Sequence, residues 1–262
     1  MNHIICSHKI TEEIEQNLIN LGVTPVKLRG IDKFGEIHPL FYHPDMFCFN
    51  VEKRRAVSDS QTWIFYDAVY KINKNIIDKL NFDVIITKNP TSCEYPNNVE
   101  LNAAMFGNNL ICNVKYTNKK IIEYAKKTGK NIIDVNQGYA KCSVCIVDEN
   151  SIITSDDSIY KKAVQNNINV LLIEKGHIDL AGYDYGFIGG CSGLITSVCS
   201  DSSTARTPNG VRLWRRALLA FTGDIKFHPD YENIKSFCDN RGVEIISLSN
   251  KKLYDYGSLF KL

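Results

Sequence analysis

His43-Pro44-Asp45 puts an imidazole and a carboxylate two residues apart. That pair suits proton shuttling and cation binding, because His titrates near neutrality and Asp stays charged. The competing reading is a turn with a solvent-facing Asp. Lys141-Cys142 follows Gly138-Tyr139, and an ammonium beside a thiol can hold a reactive thiolate. Strand neighbours face opposite ways, however, so a packed small thiol competes with a nucleophile at Cys142. A lysine at such a site also favours a carboxylate or phosphate ligand over a cationic one. Gly189-Gly190-Cys191-Ser192-Gly193 allows close backbone approach, and its amides can bind an anion. Cys191 is the second candidate nucleophile. Asn97 and Asn102 supply orienting hydrogen bonds, and Asp184 and Asp255 recur in matching Asp-Tyr-Gly contexts, which suits a turn cap as well as a site.

The elements that position these residues form an internal repeat. Five helices are expected at about 11–21, 73–80, 118–128, 158–166 and 231–241. Each is followed by a Gly or Asn able to cap it in the left-handed conformation, at Gly22, Asn81, Gly129, Asn167 and Gly242. A short apolar run then reads as a buried strand, through Leu28, Thr87, Val135, Ile173 and Leu248. A second strand precedes each helix: 3–8, 63–68, 109–114, 151–156 and 217–224. A third precedes four of those, at 43–50, 98–106, 138–147 and 185–194. The first unit lacks its third strand, and the missing piece stands at the far end as 254–262. The simplest geometry is a five-bladed α/β propeller of ββαβ units, a single domain over 1–262 closed by the C-terminal strand pairing in the N-terminal blade. In such a ring the candidate residues at the front of the inner strands share one axial pocket. The connections 29–42, 87–97 and 198–212 break the pattern, and the last, with Arg206, reads as a lid or contact loop.

Several segments carry a family resemblance: Tyr95-Pro96-Asn97 with Asn102, Gln137-Gly-Tyr-Ala-Lys-Cys-Ser143, Ile152-Ile-Thr-Ser-Asp156, Gly182-Tyr-Asp-Tyr-Gly-Phe-Ile-Gly-Gly190 and Asp255-Tyr-Gly-Ser258. Over nearly the whole chain the sequence resembles the pentein superfamily of guanidino-group-modifying enzymes, closest to a bacterial, mainly clostridial, branch. The resemblance implies hydrolase or transferase chemistry with a cysteine nucleophile near the C-terminus, a histidine proton carrier and carboxylates that grip a guanidinium. It also admits noncatalytic members. The closing segment 255–262 has no cysteine, and Cys238 falls on an outer helix, so that nucleophile does not carry over. His228 precedes Pro229-Asp230, where Asp230 reads as the N-cap of the last helix.

Composition excludes several classes. The 262 residues carry 31 Lys plus Arg against 29 Asp plus Glu, too balanced for a nucleic-acid or membrane surface. Arg212, Arg215 and Arg216 read as a solvated helix face. The N-terminus reads as a strand, and no apolar stretch is long enough to span a bilayer. Nine scattered cysteines fit free thiols in the cytoplasm. Cys142 and Cys145 fall on opposite faces of one expected strand, so they form no metal or redox pair. No metal or cofactor is expected, and the chain is read as a monomer or homodimer. Two functions compete: a hydrolase or transferase acting on an amidine, amide or related polar metabolite through Cys142 or Cys191, with His43 as acid–base and Asp45 as orienter; and a noncatalytic module holding a small polar ligand or a protein. In either case Asn97, Asn102, Lys141, Asp184, Gly189, Gly190, Ser192 and Asp255 line the pocket. A plain scaffold is the third reading.

Overall fold

The computed structural model describes residues 2–30, 39–51, 61–92, 94–200 and 213–262. In chain order the elements run β1 (His3–Ser7), α1 (Glu12–Asn20) and β2 (Thr24–Leu28); then α2 (Pro44–Phe47), β3 (Cys48–Val51), β4 (Gln61–Tyr66), α3 (Asp67–Ile77) and β5 (Phe82–Thr87). The third group is β6 (Ala104–Phe106), β7 (Asn109–Cys112), α4 (Lys119–Lys127) and β8 (Asn131–Asp134). The fourth is α5 (Ala140–Ser143), β9 (Cys145–Asp148), β10 (Ser151–Thr154), α6 (Asp157–Gln165) and β11 (Asn169–Leu172). The fifth is β12 (Ser192–Ser200), β13 (Leu213–Phe221), α7 (Tyr231–Asp239) and β14 (Glu244–Ser247), after which comes β15 (Phe260–Lys261).

These elements make five three-stranded sheets, ordered β15-β1-β2, β3-β4-β5, β6-β7-β8, β9-β10-β11 and β12-β13-β14. In each, the middle strand runs antiparallel to its inner neighbour and parallel to the strand after the helix. A parallel neighbour requires a crossover, and the helix supplies it. The architecture is a pseudo-symmetric α/β propeller. Its closure is the expected one: β15 pairs with β1 through Ile4↔Lys261 and Ile5↔Phe260, and the Leu262 amide donates to His3 O at 2.9 Å.

Local chemistry sets the helix limits. Thr11 Oγ1 accepts from the Ile14 amide at 3.3 Å, Asn118 Oδ1 from Lys120 at 3.1 Å, and Asp156 Oδ1 from Ser158 and Ile159 at 2.8 and 2.9 Å. Each satisfies amides a helix start leaves orphaned. Gly22, Gly129, Asn167 and Gly242 have φ of 73°, 67°, 57° and 66°, as the C-terminal exit requires. The second unit departs from this. Asn81 has no positive φ, because α3 starts at Asp67 rather than 73 and ends four residues before that asparagine. The buried stripe Val69, Asn73 and Ile77 at four-residue spacing explains the earlier start.

The third strands are shorter than expected. They begin at 48, 104, 145, 192 and 260, and the residues in front bend instead of extending. Before β3 and β9 they wind single helical turns, α2 and α5; Pro44 fits the first turn of α2 because its missing N–H would be unpaired there anyway. Cys142 therefore lies on a helical turn and Cys145 on β9, so the opposite-faces argument does not apply. Both are buried free thiols. Arg215 and Arg216 belong to β13, not to a helix. Arg216 is exposed and pairs with Glu244 at 2.6 Å, while Arg206 and Arg212 lie outside the described residues. Asp230 does not cap α7 through its side chain. It accepts instead from the Glu174 amide at 2.7 Å and from Asn233 at 2.9 Å. His228 is buried and engages Glu174 O, a structural placement.

Each helix buries one stripe, for example Ile14 and Leu18 or Ile234 and Cys238. The largest cluster centres on Trp63, Phe65 and Tyr66 in β4, with Phe47, Phe49 and Leu110 around them. Among the described residues, no helix is long and apolar enough to cross a membrane.

Candidate functional site: a hydrogen-bonded hub under an acidic aromatic cleft

The bends ahead of the first strand in each sheet order, β3, β6, β9, β12 and β15 (the third strands of the repeat), all meet at the axis, one from each blade. Asp45 precedes β3, Asn102 precedes β6, Lys141 and Cys142 precede β9, Gly189 and Gly190 precede β12, and Ser258 precedes β15. Hydrogen bonds join them in a closed circuit. Asn102 Nδ2 donates to Asp45 O at 3.0 Å, and Asn102 Oδ1 accepts from the amides of Lys141 at 2.8 Å and Cys142 at 3.2 Å. The Gly190 amide donates to Cys142 O at 3.0 Å, and the Ser258 amide to Gly190 O at 2.7 Å. The Asp45 amide donates to Gly257 O at 3.2 Å and completes the ring. Peptide groups lost from the strand ladders are thus paired around the axis, as buried backbone requires.

Charge is concentrated in this hub. His43, Asp45, Lys141, Asp255 and Ser258 are exposed by only 3, 0, 7, 1 and 1 %. Lys141 Nζ donates to Ser258 Oγ at 2.9 Å, and Ser258 Oγ lies 2.6 Å from Asp45 Oδ2 and 2.8 Å from Gly189 O. Asp255 Oδ2 accepts from the Phe187 amide at 2.9 Å and Oδ1 from the Gly257 amide at 3.0 Å, while His43 Nδ1 stands 3.5 Å from Oδ1. Burial raises the Asp255 pKa to about 6, against the opposing pull of those two amides and of the Lys141 charge. Burial likewise raises Asp45. Two glycines make the packing possible. A Cβ on Gly190 would lie 2.1 Å from Asp255 Oδ1, and one on Gly257, at φ +81°, would lie 2.2 Å from His43 Cα.

Above the hub opens a cleft of about 230 Å³ with His43, Cys142 and Asp255 at its floor. Tyr139, Tyr183, Tyr185 and Phe187 wall it, and exposed Asp184 sits at its rim. The rings of Tyr139 and Phe187 stack at 6.1 Å, with Tyr185 edge-on to Phe187 at 6.3 Å. A neighbouring cleft of about 490 Å³, with Lys9, Tyr42, Tyr254 and Tyr256, shares His43 and Asp255. Lys141 does not line either cleft. It faces a separate cavity of about 390 Å³ along the first strands, beside Asn50, Gln61, Glu149 and Ser192.

The structure therefore brings together His43, Asp45, Asn102, Lys141, Cys142, Gly189, Gly190 and Asp255, with Asp184 on the rim. It does not bring in Asn97, which is exposed; its neighbour Asn98 is buried and donates to Tyr139 OH at 3.3 Å. Cys191 is fully buried, its Sγ directed at Ile188 O at 3.4 Å, and burial holds its pKa well above the thiol range. The amides of Gly190 and Cys191 are committed to carbonyls, and Ser192 Oγ donates to Ile188 O at 2.7 Å, so these groups are not directed at an anion. Lys141 Nζ is given to Ser258 Oγ, while burial, then the acidic side chains of Asp45 and Asp255, push the Cys142 thiol well above its ordinary range. Ser258, which was not among the expected site residues, is at the centre. Its signal was present in Asp255-Tyr-Gly-Ser258, and its φ of +70° marks a non-glycine residue held where few are found. Among the described residues, no group of three or more His, Cys, Asp or Glu is placed to hold a metal ion.

A ring of five such blades closed on a buried acid–base hub defines an α/β propeller with an axial cleft. A family model matches residues 5–201 and 211–260, and the chain belongs to that family, "Family of unknown function (DUF6873)". No curated protein matches the sequence. Among solved structures, C. jejuni agmatine deiminase is similar at 10 % identity, covering 99 % of this chain and 92 % of the other with a TM-score of 0.48. A cysteine-to-serine variant of C. jejuni agmatine deiminase with substrate bound gives 9 % identity, 99 % and 92 % coverage and a TM-score of 0.49. The expected relation to guanidino-modifying enzymes of the pentein fold is met as a distant structural similarity.

Proposed function

We propose that the cleft above His43 and Asp255 binds a small organic cation, with the His43–Asp255 pair handling a proton at its floor. The observation that carries this reading is the union of two carboxylates, Asp184 and Asp255, with a wall of four aromatic rings in one cleft. Ring faces and carboxylates both attract a desolvated positive charge. The argument from a pocket lysine against a cationic ligand falls away, because Lys141 lines a different cavity. Calorimetry with a panel of alkylamines, amidines, guanidines and quaternary ammonium ions tests the reading, with carboxylates and neutral isosteres as controls. Binding confined to the cations and weakened at least tenfold by Asp184→Asn supports it; binding of the carboxylates alone overturns it.

A second reading, a hydrolase or transferase of amidine-like substrates, is favoured by Cys142 sharing that floor with His43. The nearby Asp255 carboxylate opposes a thiolate, and a bound cation would offset it. Iodoacetamide labelling of Cys142 that accelerates when a cation is bound supports catalysis. Labelling that stays slow across pH with ligand present leaves the binding reading.

A further inference from the structure

Ser258 Oγ sits within hydrogen-bond distance of three groups: Lys141 Nζ at 2.9 Å, Asp45 Oδ2 at 2.6 Å and Gly189 O at 2.8 Å. Lysine can only donate and a carbonyl can only accept, while a hydroxyl has one proton and two lone pairs. If Asp45 were ionised, both it and Gly189 O would compete for that single proton, and one short oxygen–oxygen contact would be left empty of hydrogen. A proton on Asp45 resolves the count. Asp45 then donates to Ser258, Ser258 donates to Gly189 O, and Lys141 fills the second lone pair.

From this count we infer that Asp45 is a carboxylic acid in the folded protein, a stored proton that links α2 to the closing segment and to the bend before β12. A separate observation agrees. Asp45 Oδ1 is buried and has no conventional hydrogen-bond partner among the described residues, the Cys142 thiol beside Asp45 being only a weak donor, which is a modest cost for a neutral carbonyl oxygen and a severe one for a carboxylate. The groups facing Asp45 are His43 on its own turn, Cys48 at the start of β3, Lys141 and Cys142 from α5, and Asp255 with Ser258 from the closing segment. With Asp45 neutral, the hub's buried charges reduce to Lys141 against Asp255, with His43 beside the latter. The inference is independent of what the cleft binds.

The device is pH-sensitive in a defined direction. An unfolded Asp releases its proton near pH 4, whereas the folded one keeps it. The folded state therefore binds more protons above that pH, and its advantage shrinks as pH rises until Asp45 ionises. Infrared difference spectroscopy at about pH 8, the native sequence against Asp45→Asn, is the direct test. A protonated-carboxyl stretch present in the native protein and absent from the variant is expected, and Ser258→Ala should move its frequency by removing the acceptor. Asn can donate to Ser258 as the acid does, so Asp45→Asn should fold. The native folding constant relative to that variant should fall at least tenfold between about pH 4 and 8. Absence of the band from the native protein, or a relative constant that rises with pH, overturns the inference. Should Asp45→Asn fail to fold, the band in the native protein and its shift in Ser258→Ala still decide.

Discussion

Replacing Asp255 with Asn isolates the second raised carboxyl of the hub. The folded pKa of about 6 stands above the unfolded value of 3.8, so the folded chain holds this proton across that window while the unfolded chain has lost it. Stability contributed by the group is therefore greatest below about pH 4 and falls as pH rises towards 6. The span is about two units, and at about 1.4 kcal/mol per unit the fall is about 3 kcal/mol. Asn carries no titratable proton and so serves as a pH-independent reference; its NH2 group cannot accept from whichever of the Phe187 and Gly257 amides it faces, a cost that is the same at every pH. Urea unfolding of both at several pH values gives the difference in free energy. That difference should move by about 3 kcal/mol in favour of Asp255→Asn between about pH 3 and 7 and then level off. In thermal melts the same quantity is roughly 6–12 °C, from about 2–4 °C per kcal/mol at this chain length. A difference that is flat, or that grows in favour of the native protein as pH rises, refutes the burial argument.

Three further outcomes follow from other contacts. Asn102→Ala orphans the buried amides of Lys141 and Cys142 and should cost about 2–6 kcal/mol in urea unfolding, at about 1–3 kcal/mol per unsatisfied group. Gly257→Ala should lose at least about 1 kcal/mol from its left-handed backbone alone; the Cβ directed at His43 Cα adds to that, and weakened ligand binding should accompany it. Asp156→Ala should cost about 1 kcal/mol as a lost helix cap. Burial works against the charged form of Asp156, yet hydrogen bonds from Ser158, Ile159 and Gln137 hold its pKa below the ordinary value. Its contribution is thus present above about pH 4 and lost as pH falls through the folded pKa, so native and variant melting curves should converge in acid.

The blades were legible in the sequence because their causes are local. A caps-and-stripe helix, a left-handed Gly or Asn and a short β-branched run are encoded within some twenty consecutive residues. Four of the five C-terminal caps stand where the residue type placed them, at Gly22, Gly129, Asn167 and Gly242. The displaced strand was legible too, since a blade lacking one strand and a chain end supplying one admit a simple closure. Asn81 shows the limit: a cap residue type says nothing about where the helix before it ends, and the packing of Val69, Asn73 and Ile77 decided that.

The site was legible only in its parts list. His43, Asp45, Asn102, Lys141, Cys142 and Asp255 were all identifiable by type, but their partners are not near in sequence. Ser258 meets Asp45 across 213 residues and Lys141 across 117, and Asn102 meets Asp45 across 57. No periodicity carries information over such spans. Whether a lysine activates a thiol, or a glycine amide is free for an anion, depends on which way each bend turns once five blades converge. Tertiary structure directed Lys141 to Ser258, paired the Gly190 amide with Cys142 O and buried both candidate thiols, Cys142 beneath the cleft and Cys191 in the core. The sequence by itself determined a ring of five blades closed by its own last strand. The converging bends determined that the centre of that ring is an acid–base hub organised on a serine, because burial there, not residue type, raises the carboxyl groups of Asp45 and Asp255.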